Sequence, residues 1–209
     1  MNFKLVLRLL GLLSKAFSAI TIIPLLIAMA VDHEQIIVFL ETLMISVGVS
    51  RLFLYYGTKK TTQRLRIREA MAIVGCGWML VCLLGAIPYL LYGMGMVDSL
   101  FESVSGFTTT GATILVNIEA MSKSLLFWRA FTHWIGGMGV LVFVMAFLPL
   151  AGGQNMHIMK AESPGPEVSK FVPKVRDTAL ILYGIYLGLT LICFIAYLIS
   201  GFDFYEAIC

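Results

Sequence analysis

The residues Ser105-Gly106-Phe107-Thr108-Thr109-Thr110-Gly111-Ala112-Thr113 form a polar stretch without helical periodicity between two long apolar segments. Such a stretch offers backbone carbonyls and hydroxyls, the oxygens that replace the hydration shell of a desolvated cation. Gly111 has no Cβ and can take a positive φ, turning its carbonyl to a side that a larger residue would not reach. Irregular backbone survives at membrane depth only inside protein or against a watery cavity, so within a bilayer this stretch reads as a pore lining. Asp98 to Gly106, just before it, predict a short helix capped by Asp98 or Ser99, whose negative C-terminal end faces the polar stretch and favours a cation. A surface turn is the competing reading of the nine residues alone, since Thr, Ser and Gly also build turns. A different chemistry is open as well: Ser105 and His133 supply a nucleophile and a base for an intramembrane serine hydrolase, although no oxyanion donors are identifiable.

The elements that could hold this stretch follow from composition. Of 209 residues, 59% are hydrophobic and 13% charged, whereas soluble domains are about 45–50% apolar. The chain reads as an all-α, polytopic integral membrane protein. Five segments reach the roughly 20 residues needed to cross a hydrocarbon core of about 30 Å: Leu9–Val31, Ile36–Tyr56, Ala70–Tyr92, Leu125–Leu148 and Thr178–Ser200. Thirteen of the fifteen Lys and Arg residues fall on one side of these spans, and Lys123 and Arg129 fall toward the other. By the positive-inside rule the N-terminus is inside and Ser105–Thr113 enters from the outside. The basic clusters need only anionic lipid as partner, not nucleic acid. Lys4 and Arg8 before an apolar run ending in Ala28-Met29-Ala30 also fit a cleaved signal in outline, although the run is long for one. Cys76, Cys82, Cys193 and Cys209 show no metal or redox spacing and read as small apolar residues.

The segment from Gly93 to Ser124 is too long for a tight turn and too polar for a span, so a re-entrant helix and loop is expected there. Around it, Gly75, Gly77, Gly85 and the run Gly136-Gly137-Met138-Gly139 offer places for close helix contact, the last also serving as a flexible point. Pro24 is tolerable in a bundled membrane helix. Arg129 either snorkels or pairs with Glu102 or a nearby carbonyl, and His133 reads as a hydrogen-bonded helix residue rather than a ligand. Residues 151–177 read as a cytoplasmic connector, because Gly152-Gly153 and Pro164-Gly165-Pro166 forbid a continuous helix. Near the end, Tyr205-Glu206-Ala207-Ile208 echoes Phe101-Glu102-Ser103-Val104 at an offset of 104 residues, which is the weak internal symmetry by which many transport proteins show their construction. The expected division is 1–69, two preliminary spans with a basic loop; 70–150, a helix, pore loop and helix; 151–177, the connector; and 178–209, the opening of a second repeat.

With these residues assembled, the chain resembles the Trk/Ktr/HKT superfamily of potassium transporters, nearest to the bacterial Trk-type membrane subunits. Carrying the resemblance are Phe101 to Gly106 running into Phe107-Thr108-Thr109-Thr110-Gly111-Ala112-Thr113, Trp128-Arg129 with His133-Trp134-Ile135-Gly136-Gly137-Met138-Gly139, and Ala161-Glu162-Ser163-Pro164-Gly165-Pro166. The resemblance implies two preliminary helices followed by four helix, pore loop, helix repeats around one potassium path in a bacterial cytoplasmic membrane. It implies that Thr109, Thr110, Gly111 and Ala112 offer carbonyls to potassium, with Glu102, Thr108 and Thr113 supporting the loop. It also implies transport rather than enzymatic activity, a cytosolic nucleotide-binding regulatory subunit and a homodimer of the complete subunit, and no organic cofactor. Whether flux is channel-like or a symport with protons or sodium is left open. Only the preliminary pair, one repeat and part of a second correspond, so an incomplete pore is expected of this chain alone, with a non-conducting fragment that associates with a full-length subunit as the alternative.

Overall fold

The computed structural model describes residues 2–57, 67–118, 120–139 and 175–209. Within them the chain is helical, in the order α1 (Phe3–Ile20), α2 (Ile22–Val31), a 3-10 turn at His33–Gln35, α3 (Ile36–Tyr56), α4 (Ile67–Leu91), α5 (Met96–Phe107), α6 (Lys123–Gly137), α7 (Val175–Ile199) and α8 (Phe204–Ile208). Among the described residues, four stretches are long and apolar enough to cross a membrane: Phe3–Val31, His33–Tyr56, Arg68–Leu91 and Ile181–Ile199. The fourth expected span is described only in its first part, as α6; residues 140–150 lie outside the described residues, as do 151–174 of the expected connector.

The first apolar stretch is interrupted where its chemistry requires it. Pro24 has no N–H for the carbonyl of Ile20 and its ring crowds that carbonyl; α1 ends at Ile20 and α2 begins at Ile22. Thr21 covers the joint, its hydroxyl donating to the Phe17 carbonyl at 2.9 Å. A bundle thus accommodates Pro24 by restarting the helix.

The pair α1 and α3 is held by small and hydroxylated residues. Ser14 donates to the Ser46 carbonyl at 3.0 Å and Ser50 to the Gly11 carbonyl at 2.8 Å. A side chain at Gly11 would press on Leu54, so glycine sets how closely the two axes approach. Against this pair packs α4, while α6 lies on α2 and α5 sits between α4 and α6.

At the centre is an aromatic cluster. Trp128 of α6 stands edge-on to Phe17 of α1 at 5.8 Å between ring centroids, to Phe39 of α3 at 6.3 Å and to Phe107 of α5 at 6.4 Å. Its indole N–H donates to the Gly85 carbonyl of α4 at 3.1 Å, so the ring is buried with its polar atom satisfied. Phe107 is the last residue of α5, and the cluster therefore fixes the end of the helix from which the polar stretch departs.

The start of α5 differs from the expectation of an Asp98 or Ser99 cap. Gly93, at φ +105°, ends the turn after α4, with its N–H donating to Leu90 and that of Met94 to Tyr89. This left-handed closure leaves so short a connector that helical backbone resumes at Met96 after Gly95, with no side-chain cap. Ser99 donates backwards to the Gly95 carbonyl at 2.9 Å instead, and Asp98 sits in the first turn, where a carboxylate complements the helix dipole.

Candidate functional site

The polar stretch leaves α5 as a loop whose amides turn back toward the helix. The N–H of Thr108 donates to Val104, that of Thr109 to Gly106 and that of Thr110 to Ser105, at 2.9, 3.0 and 3.0 Å. These bonds satisfy the orphan carbonyls of the helix end and commit the donor side of each peptide inward. Further along, Ile114 N–H donates to Glu102 Oε1 at 2.9 Å. Among the described residues, no hydrogen bond ends on the carbonyls of Thr109, Thr110 or Gly111.

The backbone conformation supports that orientation. Thr109 has φ +57° and Gly111 φ +75°, while Thr110 between them and Ala112 after them have no positive φ. In an extended chain successive peptides face opposite ways; reversing the sign of φ at every second residue counters that alternation, the principle by which backbone nests gather like groups on one side. Gly111 takes the positive φ that its lack of a Cβ allows. Thr109 does so against the preference of a β-branched residue, with its hydroxyl donating to the Thr108 carbonyl at 2.7 Å.

Glu102 is the loop's anchor. It is 1% exposed and all its described contacts point one way: Oε1 accepts from the Thr113 hydroxyl at 2.6 Å and from Ile114 N–H, while Oε2 accepts from Arg129 Nε of α6 at 3.1 Å. Of the two readings of Arg129, pairing with Glu102 is the one observed. Thr108 braces the first turn, donating to the Val104 carbonyl at 2.7 Å and lying 2.8 Å from the Thr110 hydroxyl. The loop returns to α6 at Ser124, whose N–H is accepted by Asp32 Oδ2 at 2.6 Å.

Ser105 and His133 do not form a catalytic pair. The Ser105 hydroxyl donates to the Ala112 carbonyl at 2.5 Å, and His133 Nδ1 lies 2.8 Å from the Arg129 carbonyl on its own helix. The structure thus brings together Glu102, Ser105, Thr108 to Thr113 and Arg129, and His133 joins them only through the Arg129 carbonyl on its own helix. Three features had no signal in the sequence: the Ser105 bond to Ala112, the positive φ of Thr109 and the Asp32 cap on α6. Beside Gly111 opens a cavity of about 730 Å3, bounded by Arg129 and His133 of α6 and by Tyr205 and Glu206 of α8.

These helices define a multi-pass, all-helical membrane protein, with a short helix whose C-terminal chain carries carbonyls free of hydrogen bonds among the described residues. The chain belongs to the family described as TrkH, cation transport protein, which it matches over residues 10–208. It is 35% identical over 212 residues to the Trk system potassium uptake protein TrkH of Halomonas elongata, covering 100% of this chain and 44% of that protein. To the Trk system potassium uptake protein TrkG of Escherichia coli K12 it is 31% identical with the same coverage. It superposes on the crystal structure of the potassium transporter TrkH from Vibrio parahaemolyticus with a TM-score of 0.78 at 28% identity, over 100% of this chain and 42% of that one. The chain therefore spans about 44% of the length of the curated relatives it matches.

Proposed function

We propose that this chain supplies one potassium-coordinating arc of a Trk-type uptake path, with the carbonyls of Thr109, Thr110, Gly111 and Ala112 meeting the ion. The observation that carries the reading is the loop itself: its amides are tied back to α5, its φ alternates in sign, and three consecutive carbonyls carry no hydrogen bond among the described residues. Glu102, Thr108 and Thr113 support it from behind. Oxygens held in this way replace the hydration shell of a cation, and the negative end of α5 adds to the attraction. The reaction is transport, with potassium as its substrate and no organic cofactor.

In this reading α5 and its loop are re-entrant from the outer face of the bacterial cytoplasmic membrane and the N-terminus is inside. Residues 1–69 are the preliminary pair, 70–150 the first helix, pore loop, helix unit, 151–177 a cytoplasmic connector and 178–209 the opening of a second unit. One arc does not surround an ion, so conduction needs further loops, contributed by other sequence or by other copies. A cytosolic nucleotide-binding regulatory subunit and a second complete subunit are the partners this reading gives that assembly, and the likeness to Trk-type proteins is what supports them.

The test is potassium-competed rubidium uptake by proteoliposomes containing the complete assembly, with Gly111→Ser beside the wild type. A Cβ at φ +75° is strained and turns the carbonyl, so discrimination against sodium should fall. A Gly111→Ser protein that folds, conducts and keeps its discrimination would sink the assignment.

A further inference from the structure

We propose that Ser105 sets the ligand strength of the Ala112 carbonyl and thereby tunes which alkali cation the loop prefers; this rests on the potassium-coordinating reading above. Ser105 lies in the last turn of α5, 4% exposed, with its hydroxyl 2.5 Å from the Ala112 oxygen. The carbonyls of Thr109, Thr110 and Gly111 have no such donor among the described residues. A carbonyl oxygen has two lone pairs. The hydroxyl occupies one, sets its positive hydrogen against an approaching cation and holds the oxygen against the helix end, leaving the other lone pair for a cation. Ala112 is therefore the weakest and least mobile of the four ligands.

The direction of the effect follows from distance. Coulomb attraction grows as separation shrinks, so a stronger and freer carbonyl favours the smaller ion disproportionately, whereas a weaker, fixed one favours potassium over sodium. Ser105 is a positioning residue here, acting through the Ala112 oxygen. Removing its hydroxyl should shift preference toward sodium without displacing Glu102 or Arg129, which hold the loop from its other end.

Two measurements test this. The chain contains a single Ala-Thr pair, Ala112-Thr113, so labelling alanine carbonyls with 13C and threonine with 15N isolates the Ala112 carbonyl by NMR of the purified chain in bilayers. Its resonance should move upfield in Ser105→Ala, stay in place in Ser105→Thr and lie between in Ser105→Cys, a weaker donor of similar size. In the complete conducting assembly, the ratio of potassium to sodium competition against rubidium uptake should fall roughly threefold to tenfold in Ser105→Ala and return in Ser105→Thr. An unmoved resonance, or an unmoved ratio, overturns the inference. Gly111→Ser run in parallel separates the layers: a ratio altered there but not in Ser105→Ala removes the role of Ser105 alone, and a ratio altered in neither removes the filter reading beneath it.

Discussion

Glu102 is a carboxylate almost wholly removed from solvent, and such a group is tolerable only while its hydrogen bonds and counter-charge are in place. Arg129, 18% exposed, supplies the charge, and Thr113 and Ile114 supply the rest. Arg129→Met should therefore cost about 2–3 kcal/mol, below the full penalty for breaking a buried pair because the guanidinium is partly solvated. Glu102→Gln in the same protein should restore part of it, read as thermal unfolding in detergent. A single-variant loss within error of zero would mean that water reaches the carboxylate. That Glu102 supports the loop was implied by the family resemblance rather than by any local signal around it. The Ser105 bond to Ala112 was not legible, because a serine near a helix end has many partners in reach and only the folded loop selects one. Thr109 was illegible for a different reason: a β-branched residue at positive φ runs against its own local preference and is imposed by the bonds on either side of it.

Among the elements, glycine positions divide sharply by what they face. A Cβ at Gly136 of α6 would drive into the backbone carbonyl of Phe107, and one at Gly85 of α4 would meet the Phe107 ring and Ser103. At Gly75 of α4 nothing described lies within 4 Å. Gly136→Ala should thus destabilise the protein by about 1–3 kcal/mol, through overpacking at the end of α5. Gly75→Ala should be neutral or stabilise it by up to about 1 kcal/mol, the helix propensity gain. Melting temperatures of the two variants in the same detergent decide it, and equal losses would contradict the packing. The sequence showed that Gly136 and Gly85 were places of close approach but not which backbone came near, since that depends on α5 lying between α4 and α6. At Gly137, where α6 stops, a Cβ would press on the Tyr186 hydroxyl of α7, which is again close contact, and Gly139 just beyond has φ +71°. The echo between the two short helices is also structural. Gly93 and Gly201 close α4 and α7 with the same pair of backbone bonds, Gly201 N–H to Leu198 and Phe202 N–H to Tyr197. The glycines are 108 residues apart and Glu102 and Glu206 are 104 apart; each short helix starts three residues after its glycine, so α8 reaches its glutamate about one helical turn sooner.

For the whole molecule, the orientation proposed from the distribution of basic residues is one that labelling can check. In a protein whose four native cysteines have been replaced, a cysteine at position 119 should react with an impermeant reagent from outside, and one at position 60 only after the membrane is opened. The reverse pattern would invert the topology and place the loop on the wrong face. Membrane spans were the most legible part of this chain, because roughly 20 apolar residues have few alternatives. The contacts between distant segments were the least, and the Asp32 carboxylate on Ser124 N–H, 92 residues away, is the plainest case. That contact has a bearing on how the protein is made. A chain leaves the ribosome N-terminus first, so the carboxylate that completes the start of α6 is already in place on the first hairpin before α6 exists. The two opening helices, with no carbonyl of their own in the loop, thus act as a mould: made first, they carry an acceptor that, with Glu102, fixes where the returning chain lands.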